Sequence, residues 1–128
     1  VTSAGTGGWN VGKPIDPRAR ISLQRSGYSS EHRARQFQPE WFGEADLVIG
    51  MDYSNVQDLR GMTRDEDDVM KVKLLRSFSS QLVHLPEDDP ELEIPDPYYG
   101  SELDFKRTAA MIEDAVDGVV DHVRVALL

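Results

Sequence analysis

Cysteine is absent from all 128 residues. The chain therefore holds no disulfide, no thiolate metal site and no cysteine nucleophile of its own. Positive charge is scarce, with 14 Lys and Arg against 23 Asp and Glu, a net charge of −9. Nucleic acid needs a basic footprint, so it is not an expected partner. Any anionic ligand would require strong local compensation. No apolar run approaches the about 20 residues of a membrane span, and Val1-Thr2-Ser3-Ala4-Gly5 lacks the basic and apolar regions of a signal peptide. Neither a membrane partner nor a leader is expected. His32, His84 and His122 have no metal-like spacing, so no metal site is expected. Asp65-Glu66-Asp67-Asp68 lacks the glycine and terminal glutamate of a calcium loop and reads as a solvated turn.

What is present reads as alternating strands and helices in one domain, 1–128. Val1–Ala4 reads as a strand entering a loop, 5–14, with four glycines and Trp9. Trp9 is either a lid over a core edge or a ligand platform. Asp16-Pro17 predicts a helix start, with Asp16 as cap and Gly27 as stop. Pro39-Glu40-Trp41-Phe42 predicts a short helical turn. Asp46–Met51 predicts a buried parallel strand running into a helix that reaches Arg60. Thr63–Asp68 is expected as an exposed turn or helix start, Val72–Leu75 as another strand, and Leu82–Tyr99 as a long loop. Phe105, Ala109, Ile112, Val116, Val119, Val123 and Leu127 recur every three or four residues and predict the core face of a terminal amphipathic helix. The expected fold is α/β, a three-layer sandwich with a parallel sheet whose ligands bind at the carboxyl ends of the strands.

The long loop ends on Asp96-Pro97-Tyr98-Tyr99-Gly100. Pro97 biases Asp96 towards an extended conformation, and Pro95 stiffens the approach. A carboxyl group on a stiff loop beside two rings has the disposition of a general acid, since desolvation keeps its proton available. The same five residues also satisfy the chemistry of an ordinary turn, with Pro at the second position and Gly closing it.

Taken together, several stretches resemble the low-molecular-weight protein tyrosine phosphatases. They are Ser3-Ala4-Gly5-Thr6, Trp9-Asn10-Val11-Gly12, Asp16-Pro17-Arg18-Ala19 and His32-Arg33-Ala34-Arg35-Gln36. Met51-Asp52-Tyr53-Ser54-Asn55, Asp96-Pro97-Tyr98-Tyr99-Gly100 and Leu103-Asp104-Phe105 complete the set. The resemblance implies hydrolysis of phosphotyrosine through a phosphocysteine intermediate, without a cofactor. It makes Asp96 the general acid and then the general base. It makes Trp9, Tyr98 and Tyr99 the aromatic walls of the substrate cleft, and Ser3, His32 and Asp52 supports of the phosphate-binding loop. Where some relatives have His, this chain has Ser26. The implied partners are phosphotyrosine-containing proteins or aryl phosphates, and the implied protein is a cytoplasmic monomer or weak homodimer.

One departure matters. The family's first strand, Cys-x5-Arg loop and first helix do not occur here. That loop supplies the thiolate, the amide cradle and the arginine that clamps phosphate. The expectation is an N-terminally truncated phosphatase domain whose sheet lacks one strand and which is inactive alone. Two other readings stand beside it. One is a non-catalytic phosphatase-like binding or regulatory module, motivated by the missing cysteine. The other is an arsenate reductase, disfavoured because that reaction relays electrons through several cysteines.

Overall fold

The computed structural model describes residues 1–29, 33–96 and 100–126. Its centre is a parallel pair of strands, β1 (Val48–Gly50) and β2 (Val72–Leu74), with Val48 opposite Val72 and Gly50 opposite Leu74. Short apolar runs of this kind pair well only when both faces are covered. Helices α2 (Tyr53–Met62) and α3 (Glu66–Lys71) connect the two strands. Val48, Val72 and Leu74 pack with Val56 and Leu59 of α2 and with Phe42 and Leu92. Ile49 points to the opposite face, where Leu75, Ile94 and Ala115 form a second cluster with Met111, Ile112 and Val119. Those last residues belong to α4 (Glu102–Ala126). Helix, sheet and helix therefore form the three expected layers.

The helix signals act as the sequence suggests. Helix α1 (Pro17–Arg25) begins where the Asp16 carboxylate accepts the Arg18 amide, and Gly27 follows its end at φ 82°. Asp52 caps α2 by accepting the Asn55 amide at 2.7 Å, while the Asn55 side chain accepts the Asp52 amide. A 3₁₀ turn over Pro39–Gly43 seats Phe42, fully buried, edge-on to Phe37.

Three expectations change. Val1–Ala4 is exposed and forms no strand; only Gly5 pairs, in a parallel bridge to Gln36. Strand propensity is realised only when a partner edge is available. The acidic stretch is not a wholly solvated turn either. Asp65 caps α3, and Asp68 is 2% exposed against Arg64. On α4, Ala115 is fully buried and Val116 is 41% exposed, so the core stripe runs one residue earlier there than the periodicity predicted.

The long loop is anchored over residues 82–96 by apolar side chains. A 3₁₀ turn over Pro90–Leu92 buries Leu92, and Ile94 is buried beside α4. The Ile94 amide donates to the Met51 carbonyl at 2.9 Å, which fixes the segment at the carboxyl end of β1.

Candidate active site

Asp96 stands two residues beyond that anchor. Thr108 of α4 donates its hydroxyl to the Pro95 carbonyl at 3.4 Å, so the residue before Asp96 is also tethered. Asp96 is exposed and borders a cavity of about 330 Å³ between α1 and α4. Ala19, Leu23, Phe105, Ala109 and Ile112 make its walls mostly apolar, and Asp16 is the other carboxylate on its rim. An apolar cavity with a few convergent polar groups, beyond the carboxyl end of a parallel strand, is where α/β proteins place ligands.

Arg18 organises the rim. Its Nε and Nη2 donate to the two Asp16 oxygens at 3.3 and 3.2 Å. Its Nη1 donates to the Gly100 carbonyl at 3.2 Å, across 82 positions of sequence. Its guanidinium also lies over the Phe105 ring, 5.0 Å from the centroid. The Arg18 side-chain hydrogen bond first, and then the Arg18 backbone amide, hold the Asp16 carboxyl below its ordinary value against the opposing effect of desolvation. Arg18 lies in the Asp16-Pro17-Arg18-Ala19 motif that carries the resemblance, with no role implied for it there. The Asp16-Pro17-Arg18 spacing was the available signal, because a cap and an arginine two residues on can share one carboxylate.

The remaining candidates are distributed unevenly. Trp9 is 78% exposed and borders a different cavity, of about 450 Å³, with Gln57, Asp58 and Gly61 of α2. It does not share the Asp96 cavity. The loop that carries it is laced to 33–37: the Gly5 amide donates to Arg35, the Phe37 amide to Gly5, and the Gly12 amide to Ala34, each at 2.8 Å. Ser3 is exposed, and its carbonyl accepts Arg35 Nη2 at 3.1 Å. Asp52 holds the start of α2, immediately after the end of β1. His32, Tyr98 and Tyr99 lie outside the described residues. Among the described residues, no three His, Asp or Glu side chains gather as metal ligands, and no helix is long and apolar enough to cross a membrane.

The fold and this edge define an α/β protein with its candidate site where the parallel strands end. Comparison with known proteins carries the assignment further. The family model of the low molecular weight phosphotyrosine protein phosphatases matches residues 1–126. The chain belongs to that family. It is 41% identical over 122 residues to a low molecular weight protein-tyrosine-phosphatase of Streptomyces coelicolor, covering 95% of this chain and 71% of that protein. Low molecular weight protein-tyrosine phosphatase A of Mycobacterium tuberculosis is 38% identical over 123 residues, covering 96% of this chain and 70% of that protein. Among solved structures, a protein tyrosine phosphatase from Entamoeba histolytica superimposes with a TM-score of 0.85 at 26% identity, over 98% of this chain and 75% of that one.

Proposed function

We propose that this chain is the acid-bearing part of a protein tyrosine phosphatase acting on phosphotyrosine-containing proteins or aryl phosphates. The observation that carries the reading is the position of Asp96. It combines a family match over residues 1–126 with a carboxyl group held beyond the carboxyl end of β1, tethered on its N-terminal side at Ile94 and Pro95. Asp96 gives its proton to the leaving phenol oxygen as the P–O bond breaks and phosphorus bonds to a cysteine thiolate. It then takes a proton from the water that attacks the phosphocysteine and releases inorganic phosphate. The family resemblance assigns Trp9, Tyr98 and Tyr99 to the cleft walls, with Trp9 bordering a cavity separate from that of Asp96, and assigns Ser3, His32 and Asp52 to support of the phosphate loop. Residues 1–128 contain no cysteine, so on their own they offer no thiolate for the covalent intermediate.

The test is turnover of aryl phosphates by the full-length protein and its Asp96→Ala variant. Loss of general acid catalysis should lower turnover by about 10²–10⁴. Unchanged turnover on a substrate with a poor leaving group removes Asp96 from the mechanism. Calorimetry of residues 1–128 with a phosphotyrosine peptide separates the binding-module reading. No phosphate-dependent affinity is expected without the cradle, and a measurable one would favour the module.

A further inference from the structure

Asp96 and Gly100 stand four positions apart in the sequence, and each is tethered on its outer side. The front end is fixed by backbone and helix contacts, Ile94 to Met51 and Pro95 to Thr108. The far end is Gly100. A side chain there would press on Asp104 Oδ2 at 2.6 Å, so the backbone at Gly100 lies directly against the start of α4. Asp104 in turn accepts the Ser101 amide at 2.8 Å. The one long-range hydrogen bond described at Gly100 comes from Arg18.

We propose that Arg18 is a positioning residue for Asp96: it ties the far end of the Asp96 span to the start of α1. This rests on the reading of Asp96 as the general acid. The planar guanidinium suits the task because its donors diverge in a fixed fork. Two point at the Asp16 carboxylate and one at the Gly100 carbonyl. Asp16 fixes the fork, the fork fixes Gly100, and the Phe105 ring supports the guanidinium from below. A second consequence is electrostatic. Asp16 shares the cavity with Asp96, and Arg18 offsets the negative charge that Asp16 places there.

The clamp is a geometric device rather than a source of stability. The Arg18 and Asp16 side chains are 44% and 29% exposed, and ion pairs in that environment contribute little to folding. The α1 cap survives alanine or lysine at this position, since the residue 18 backbone amide still donates to Asp16. Misplacing a catalytic group by about 1 Å can cost about 10²-fold in rate. Function and stability should therefore separate on mutation.

The experiment compares the full-length protein with its Arg18→Ala and Arg18→Lys variants. Turnover of phenyl phosphate, whose poor leaving group needs the proton, should fall by about 10- to 100-fold in both variants. Turnover of p-nitrophenyl phosphate should fall much less. Lysine should not rescue, because one ammonium cannot span both acceptors. The melting temperature should move by no more than about 4 °C. Amide hydrogen exchange should quicken at 100–105 while β1 and β2 stay unchanged. Equal losses on both substrates, full rescue by lysine, or unchanged exchange at 100–105 would overturn the proposal. If the unmutated protein turns over neither substrate, the phosphatase reading fails, and the exchange measurement alone decides the clamp.

Discussion

Asp68 shows how a single carboxylate in an acidic run can be structural. It is 2% exposed, and the backbone amide and Nε of Arg64 each donate to its Oδ2 at 2.9 Å. The Arg64 hydrogen bond, the largest influence, holds its pKa below the ordinary 3.8 against the opposing effect of desolvation. Between the folded and ordinary values the unfolded chain binds the extra proton, so stability rises with pH there. The contribution is complete above the ordinary value and is lost as pH falls through the folded one. Asp16, Glu87 and Asp104 are lowered too, first by Arg18, Arg60 and the Ser101 amide respectively. Thermal melts should therefore show the midpoint falling steeply below about pH 4. Asp68→Asn should lower the neutral-pH midpoint and flatten this acid limb. An unchanged limb would show that Asp68 is not the group responsible. The four-residue spacing of Arg64 and Asp68 was visible in the sequence. The burial of Asp68 was not, because it depends on α3 packing against the Pro39–Gly43 turn, where Lys71 Nζ donates to the Phe42 carbonyl at 2.7 Å.

At the scale of elements, α4 is the clearest case of a periodicity read correctly in kind and shifted in detail. Steps of three or four residues leave a choice at each turn, and small residues decide it. Ala115 is fully buried, and a Cβ at Gly118 would overlap the Phe78 carbonyl oxygen. The helix thus approaches the 3₁₀ turn Leu75–Phe78 backbone to backbone, and Val116 is left towards solvent. Ser79 is buried there too, donating to Asp114 at 2.8 Å, and His122 meets the Phe78 ring edge-on at 5.2 Å. Gly118→Ala provides a test whose sign is informative. In an open helix interior that change would stabilise by about 0.5–1 kcal/mol. Here overpacking against backbone should destabilise by about 1–3 kcal/mol, measured by urea denaturation. A stabilised variant would mean that α4 is not seated on this turn. The same close approach holds Ile94 against α4, and with it the base of the Asp96 span.

For the molecule as a whole, two apolar clusters lie on opposite faces of a sheet only two strands wide among the described residues. Phe42, fully buried with Phe37 edge-on at 5.0 Å, sits in the larger cluster. Phe42→Ala should cost about 3–5 kcal/mol, a large share of the about 5–15 kcal/mol that holds a domain together. Equilibrium unfolding should show a much lower denaturant midpoint, and a shift under about 1 kcal/mol would contradict the packing. The expected strand at Val1–Ala4 exposes what a local reading misses. β-branched residues make a strand only where an edge is offered, and here only Gly5 finds one.

The sequence by itself determined the layered α/β class, the helix start at Asp16, the strand-to-helix passage after Met51, and the family, because caps, periodicity and motif order are local properties of the chain. It also marked Asp96, through prolines that stiffen the backbone from either side. The tertiary structure alone decided which residues meet. It buried Asp68, turned Val116 outward, separated Trp9 from the Asp96 cavity, and brought Arg18 to Gly100 across 82 positions. Those outcomes depend on how packed elements approach one another, and short-range sequence pattern carries no record of that distance.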